Sequence, residues 1–186
     1  MKPIIVGISG ASGAIYGVET LKALNSLGCP AHLVISEAGA LTLAYETGLG
    51  IDEVNALATK VYNVKDVGAA IAGGSFRTAG MIIAPCSIKT LSAIANSYAD
   101  NLLARAADVT IKERRPLVLM VRETPLHQGH LELMARAAGL GALIMPPVPA
   151  FYAKPQSIAD IVRHTVGRAL DLLGVENRMT EPWQGI

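Results

Sequence analysis

The stretch Pro3-Ile-Ile-Val-Gly-Ile-Ser-Gly10-Ala-Ser-Gly13, followed at once by Ala14-Ile-Tyr-Gly-Val-Glu-Thr-Leu-Lys-Ala-Leu24, decides the fold. Residues 3–8 form a short apolar run closed by glycines, which reads as a buried strand. Residues 14–27 then place Val18, Leu21 and Leu24 at helical spacing before the stop signal Gly28-Cys29-Pro30. The same strand, turn and helix recur downstream. Strands are predicted over 32–35, 80–84 (stopped by Pro85), 117–121 and 142–145. Helices are predicted after Ser36 (carrying Ala40, Leu41, Ala44 and Tyr45) and over 51–58, 87–95, 99–113, 131–138 and 158–173. Residues 60–78 have weak periodicity around Gly73-Gly74-Ser75 and are expected to form a loop or lid. Strands alternating with helices in this way predict an α/β fold, a three-layer α/β/α sandwich around a mostly parallel sheet.

At 186 residues the chain is long enough for one domain over 1–186, with a polar tail from about 174, to bury a core without metal or disulfide support. Its 16 basic and 15 acidic residues leave a formal charge of +1, so no broad field attracts nucleic acid or an anionic membrane. Charged residues are 17% of the chain and apolar ones 51%, which leaves little charge to cover the surface and predicts subunit interfaces. Cys29 and Cys86 have neither disulfide nor zinc spacing and are read as reduced thiols. No signal-peptide core opens the chain, and no apolar run approaches the roughly 18 residues of a membrane span. These features predict a cytoplasmic protein.

In parallel sheets ligands bind beyond the carboxyl ends of the strands. The turn Gly7-x-x-Gly10-x-x-Gly13 lies there, where small residues let a phosphate reach free N–H groups at the positive end of a helix. A plain packing turn is the alternative, because the spacing matches neither the dinucleotide fingerprint nor a P-loop. Ser36 and the run Ser87-Ile88-Lys89-Thr90 follow strands in the same way, although both serines also fit as ordinary helix N-caps. Arg122-Glu123 brings a fixed cation and a titratable acid to that edge, or else forms a surface ion pair. Lys112 shares a helix face with Arg105, and Asp108 is placed to pair with either. His127 and His130 lack a third ligand at useful spacing, so no metal site is predicted. Cys86 has no evident base partner and is read as a buried structural thiol.

The blocks Gly10-Ala-Ser-Gly13, Ala84-Pro-Cys-Ser-Ile-Lys-Thr-Leu91, Arg105-Ala-Ala-Asp-Val109, Lys112-Glu-Arg-Arg-Pro-Leu-Val-Leu119, Arg122-Glu123 and Phe151-Tyr152 run through nearly the whole chain. Together they resemble the UbiX-like flavin prenyltransferase family. Gly74-Ser-Phe-Arg-Thr78 and Tyr98-Ala-Asp100 resemble its branch associated with phenolic or phenylacrylic acid decarboxylases. The resemblance implies a Rossmann-like, flavodoxin-like sheet and a metal-independent transferase. Such an enzyme joins a dimethylallyl group from dimethylallyl phosphate to N5 and C6 of reduced FMN. Its product, prenylated FMN, serves a UbiD-type decarboxylase. The resemblance also implies a homo-oligomer, a dodecamer with sites at subunit junctions.

By position in the family motifs, Gly10, Ala11, Ser12, Ser36, Ser87, Ile88, Lys89, Thr90 and Arg122 contact FMN. Lys112, Arg122, Tyr152 and Arg168 hold the prenyl phosphate. Glu46, which periodicity alone reads as a surface glutamate, matches the family's acid/base, and Ser12 relays a proton to the leaving phosphate. Glu123 orients Arg122 or assists, while Trp183 either stabilises an allylic cation or anchors the tail on a neighbouring subunit. His130 matches a family histidine, whereas His127 replaces a small polar residue. Two other readings are an FMN-dependent cysteine-type oxidative decarboxylase and a non-catalytic flavin carrier or accessory subunit. The first expects a histidine on the helix after the second strand, yet none occurs between His32 and His127.

Overall fold

The computed structural model describes residues 1–180 and 185. Six strands, β1 (Ile4–Ile8), β2 (Ala31–Ile35), β3 (Lys60–Tyr62), β4 (Gly80–Cys86), β5 (Leu117–Val121) and β6 (Leu143–Ile144), pair in parallel. Their order is β3-β2-β1-β4-β5-β6, so the chain moves outward from β1 and then returns to build the other half from β4. The boundary between β1 and β4 is therefore the topological switch point, where a crevice opens at the carboxyl edge.

Among the described residues, seven α-helices cover the sheet: α1 (Ala14–Ser26), α2 (Glu37–Thr47), α3 (Ile51–Asn55), α4 (Ile88–Ala95), α5 (Leu102–Lys112), α6 (Gln128–Gly139) and α7 (Ile158–Leu172). Val18, Leu21 and Leu24 of α1 pack with Val166 and Leu170 of α7 on one face. Leu91 of α4, Leu103 of α5 and Ala137 of α6 pack on the other. Every residue of β1 and β4 is buried, because helices cover them on both sides. Each such leucine or isoleucine contributes roughly 1.5–3 kcal/mol by leaving water. Gly17 lets α1 lie close to the sheet: a Cβ there would run into the Ala84 carbonyl and the Ile8 side chain.

The three-layer parallel α/β fold read from the sequence is the fold observed. Some boundaries differ, for identifiable reasons. Residues 60–78 are not an open lid. They begin with the edge strand β3, whose Lys60 and Val61 are exposed and so give no apolar run. The glycine segment beyond it is pinned by the Arg115 guanidinium, which donates to the carbonyls of Gly74 (2.7 Å) and Phe76 (2.8 Å). Pro85 does not end β4. Proline offers no N–H to the ladder, so pairing with β5 skips and resumes at Cys86 opposite Val121. Helix α5 starts at Leu102, later than predicted, where the Asn101 side chain accepts from Ala104 N (3.0 Å). Helix α6 starts earlier, at Gln128, because His127 Nδ1 accepts from Gly129 N (3.1 Å) and acts as its cap. No helix among the described residues is long and apolar enough to cross a membrane.

Candidate functional site

Parallel pairing brings the turns after β1, β2, β4 and β5 to one edge of the sheet. Ser9 ties two of them together. Its buried hydroxyl donates to Pro85 O (2.8 Å) and accepts from Ser87 N (2.7 Å), fixing the turn after β4 against the turn after β1. No periodicity or motif singled out Ser9, since a serine inside a glycine turn carries no local sign of a partner so distant in sequence. Gly10 passes close to α2, where a Cβ would meet the Cβ of Ala38. Ser12 is exposed at the mouth of the turn.

The positive end of α1, read from sequence as a seat for a phosphate, is taken by a carboxylate of the chain itself. Glu46 reaches back from the end of α2, and its Oε2 accepts from Gly13 N (2.8 Å) and Ala14 N (2.9 Å). Two donors that an incoming anion would use are thereby occupied. Partial burial alone would raise the Glu46 pKa. Hydrogen bonds from the Ser12 side chain and from Gly13 and Ala14, together with the Arg122 charge, outweigh that and lower it. Glu46 is consequently an ionised acceptor at neutral pH, with Ser12 beside it and Arg122 in electrostatic reach.

Ser36 and Ser87 are N-caps, as the ordinary reading allowed. Ser36 Oγ accepts from Gly39 N (2.9 Å), and Ser87 Oγ accepts from Thr90 N (3.3 Å) while donating to Thr90 Oγ1 (3.1 Å). Capping does not exhaust these turns. The first N–H groups of α2 and α4, at Glu37, Ala38, Ile88 and Lys89, have no partner within their own helices. They are the donors that remain for an anion at this edge, and their surroundings fit a phosphorylated ligand. Small residues at Gly10 and Ala11 leave room, hydroxyls stand at Ser36, Ser87 and Thr90, and the exposed Arg122 adds a fixed cation.

Arg122 leaves β5 with its N–H donating to Cys86 O (3.1 Å), and among the described residues its guanidinium forms no ion pair. Glu123 does not orient it: its Oε1 accepts instead from the neighbouring Thr124 N (2.9 Å). Cys86 is fully buried, and burial pushes its thiol pKa far up, so it remains protonated. The His127 and His130 rings lie against each other, tilted by 32° with centroids 3.6 Å apart. Among the described residues no group of three or more His, Cys, Asp or Glu is placed to hold a metal ion.

The prenyl-phosphate ligands implied by resemblance do not converge within one chain. Lys112 ends α5, just before β5 begins, whereas Arg122 follows the end of β5. About five residues of strand separate the two, roughly 17 Å. Lys112 pairs with Glu113 (2.7 Å), and Arg105 pairs with Asp108 (2.9 Å) as a helix-surface interaction. Arg168 lies in the opposite helical layer, on α7, paired with Asp171 (2.7 Å). Tyr152 meets the same helix one turn earlier, its hydroxyl 3.2 Å from His164 Nε2. Trp183 lies outside the described residues.

Comparison with known proteins follows this geometry. The flavoprotein family model matches residues 1–170. The chain is 56% identical to the flavin prenyltransferase UbiX of Escherichia coli K12, over all of both chains. It is 56% identical to that of Thauera aromatica, over 98% of this chain and 94% of the relative. Among solved structures it is similar to AnUbiX (PadA1) in complex with FMN and dimethylallyl pyrophosphate. There the TM-score is 0.97 and the identity 46%, over 100% of this chain and 98% of the other. A dodecameric FMN-dependent UbiX-like decarboxylase from Escherichia coli O157:H7 matches at TM-score 0.95 and 47% identity, over 98% of this chain and 100% of the other. The phosphopantothenoylcysteine decarboxylase and EpiD structures, at 18% and 16% identity, share the fold alone. With identity above one half along its whole length and the same sheet beneath it, the chain belongs to the flavoprotein family and, within it, to the UbiX-like flavin prenyltransferases.

Proposed function

We propose that this protein joins a dimethylallyl group from dimethylallyl phosphate to N5 and C6 of reduced FMN. The prenylated FMN so formed would pass to a UbiD-type decarboxylase. The observation that carries the reading is Glu46, an ionised carboxylate hydrogen-bonded to Ser12 and held against the α1 N-terminus at the carboxyl edge of the sheet. A carrier that only stores flavin has no need of a base fixed in this way. The prenyl donor loses its allylic C–O bond with phosphate taking the bonding electrons, N5 gives up its proton as it is alkylated, and closure at C6 takes up one proton at the prenyl double bond and releases the C6 proton, a net loss of one proton.

Each residue role follows from that balance. The N–H groups opening α2 and α4, with Ser36, Ser87, Ile88, Lys89, Thr90 and Arg122, bind the flavin, and Gly10, Ala11 and Ser12 border it. Arg122, Lys112, Arg168 and the Tyr152 hydroxyl stabilise the charge that collects on the departing phosphate. Glu46 accepts the flavin proton, and Ser12 passes a proton towards the phosphate. Glu123, whose Oε1 accepts from Thr124 N, is left the assisting role rather than that of orienting Arg122. Because Lys112 stands at the opposite edge of its own sheet, the Lys112 that serves a given site is supplied by a second subunit, consistent with a dodecamer.

Anaerobic incubation of the purified protein with reduced FMN and dimethylallyl phosphate tests the reading. Mass spectrometry of the released flavin should show a five-carbon adduct. Unmodified FMN as the sole flavin recovered would make the protein a carrier instead.

A further inference from the structure

Tyr152 stands on a single 3-10 turn, Phe151–Ala153, held by two backbone hydrogen bonds (Ala153 N to Ala150 O, 3.1 Å; Lys154 N to Phe151 O, 3.0 Å). So short an element gives little support to a long side chain. Helix α7 is the firmer body. Ser157 Oγ accepts from Asp160 N (3.1 Å) and Asp160 Oδ2 accepts from Ser157 N (2.9 Å) at its start, and Val162, Val166 and Leu170 anchor it in the core. His164 joins the turn to the helix. Its Nε2 lies 3.2 Å from the Tyr152 hydroxyl, and the two rings meet edge to face at 82° with centroids 5.6 Å apart.

His164 is half-buried and lies one turn before Arg168, so the two side chains share a face of α7. Arg168 is steadied in turn by Asp171 (2.7 Å). The His164 contact therefore sets where the Tyr152 hydroxyl stands relative to the Arg168 guanidinium, although the two come from separate segments. Asp160, one turn earlier on the same face, is committed to Gln156 N (3.0 Å) and Ser157 N (2.9 Å) and does not compete for the imidazole. A phenol hydroxyl has one proton to give. If Tyr152 gives it to His164, an anion beside the phenol meets only lone pairs. If His164 Nε2–H donates to the phenol oxygen, that proton is free for the anion. A phosphate selects the second arrangement, and a phenol that accepts one hydrogen bond becomes the better donor of the next.

We infer that His164 is a positioning residue for the prenyl phosphate: its Nε2–H donates to the Tyr152 phenol oxygen, holds the hydroxyl beside Arg168 and turns the phenol proton towards the phosphate. The inference rests on the reading that assigns Tyr152 and Arg168 to that phosphate. His164 acts through Tyr152 and does not itself touch the donor, so losing the imidazole matters only while the Tyr152 hydroxyl is present. His164→Gln supplies an amide N–H near the position of Nε2 and can take over the contact. His164→Leu fills similar space with no donor.

A double-variant cycle tests this by calorimetry, with dimethylallyl phosphate titrated into the full-length protein loaded with oxidised FMN, so that binding is read without transfer. Tyr152→Phe and His164→Leu should each weaken binding about three- to tenfold, and the double variant should bind no more weakly than Tyr152→Phe alone. His164→Gln should stay within about twofold of the wild type. The inference is overturned, and the Tyr152 reading stands, if His164→Leu has no effect, if it has its full effect in the Tyr152→Phe background, or if His164→Gln binds as weakly as His164→Leu. If dimethylallyl phosphate does not bind, or binds Tyr152→Phe as it binds the wild type, the phosphate reading of Tyr152 falls and the inference falls with it. If the cycle behaves as expected but reduced FMN yields no adduct, the transferase reading falls and the positioning of Tyr152 stands.

Discussion

Glu46, the base proposed above, has two properties that pull in different directions. As a proton acceptor it benefits from a high pKa, yet Ser12, the two α1 N–H groups and Arg122 lower it below the ordinary carboxylate value against the effect of burial. The lowered pKa keeps it charged and fixed before the reaction, and a ligand that displaces water from the edge would restore basicity. Glu46→Gln preserves the shape of the side chain and removes the charge. It should leave FMN binding intact and slow adduct formation about a hundredfold or more, read in anaerobic single turnovers. An unchanged rate would remove Glu46 from the mechanism. The same substitution has a pH signature. A carboxyl whose folded pKa is depressed adds stability above its unfolded pKa and loses it as pH falls through the folded value. Thermal melts should therefore separate wild type from Glu46→Gln at about pH 6, and the gap should narrow towards about pH 3. Ser9 acts one step further from the chemistry, since its hydroxyl joins Pro85 O to Ser87 N inside the sheet. Ser9→Ala leaves a buried N–H without its acceptor and should cost about 1–3 kcal/mol. In titrations it should also weaken FMN binding through the displaced Ser87 turn.

At the scale of elements, the packing of α1 on the sheet depends on Gly17, beside the Ala84 carbonyl and the Ile8 side chain. Backbone cannot yield as a side-chain tip can. Gly17→Ala should lower stability by about 1–3 kcal/mol through overpacking, although alanine is the better helix former. A melt as high as the wild type's would show that α1 can shift freely. Elements differed in how far the sequence betrayed them. β1, β4 and β5 are buried along their whole length, and their unbroken apolar runs could be read directly. β3 is an edge strand with Lys60 and Val61 in solvent, so it looked like loop. The Ser36 and Ser87 caps were legible because a cap is local, lying within three residues of the N–H it satisfies. The Glu46 contact was not. It joins residues 33 apart, so periodicity saw only the solvent side of α2, and only resemblance to the family drew attention to it.

For the whole molecule, the placement of Lys112 and the exposed apolar side chains point the same way. Tyr45 is 93% exposed, Ile158 80%, Leu41 75% and Phe151 74% in the single chain, far more apolar surface than a small charge complement can offset. Tyr45 and Leu41 lie on α2, the helix that carries Glu46, so subunits that cover them would close over the proposed flavin edge. A site shared between subunits makes a prediction that a self-contained site cannot. Glu46→Gln and Lys112→Ala should each inactivate the homo-oligomer, the first at the base and the second at the phosphate. If the two residues of one site come from different chains, random co-assembly restores both native residues to about a quarter of the sites. Co-refolded mixtures should accordingly regain about a quarter of wild-type adduct formation per site, measured against mixtures of the separately assembled variants. Activity no higher than that of the separate variants would place both groups in one chain.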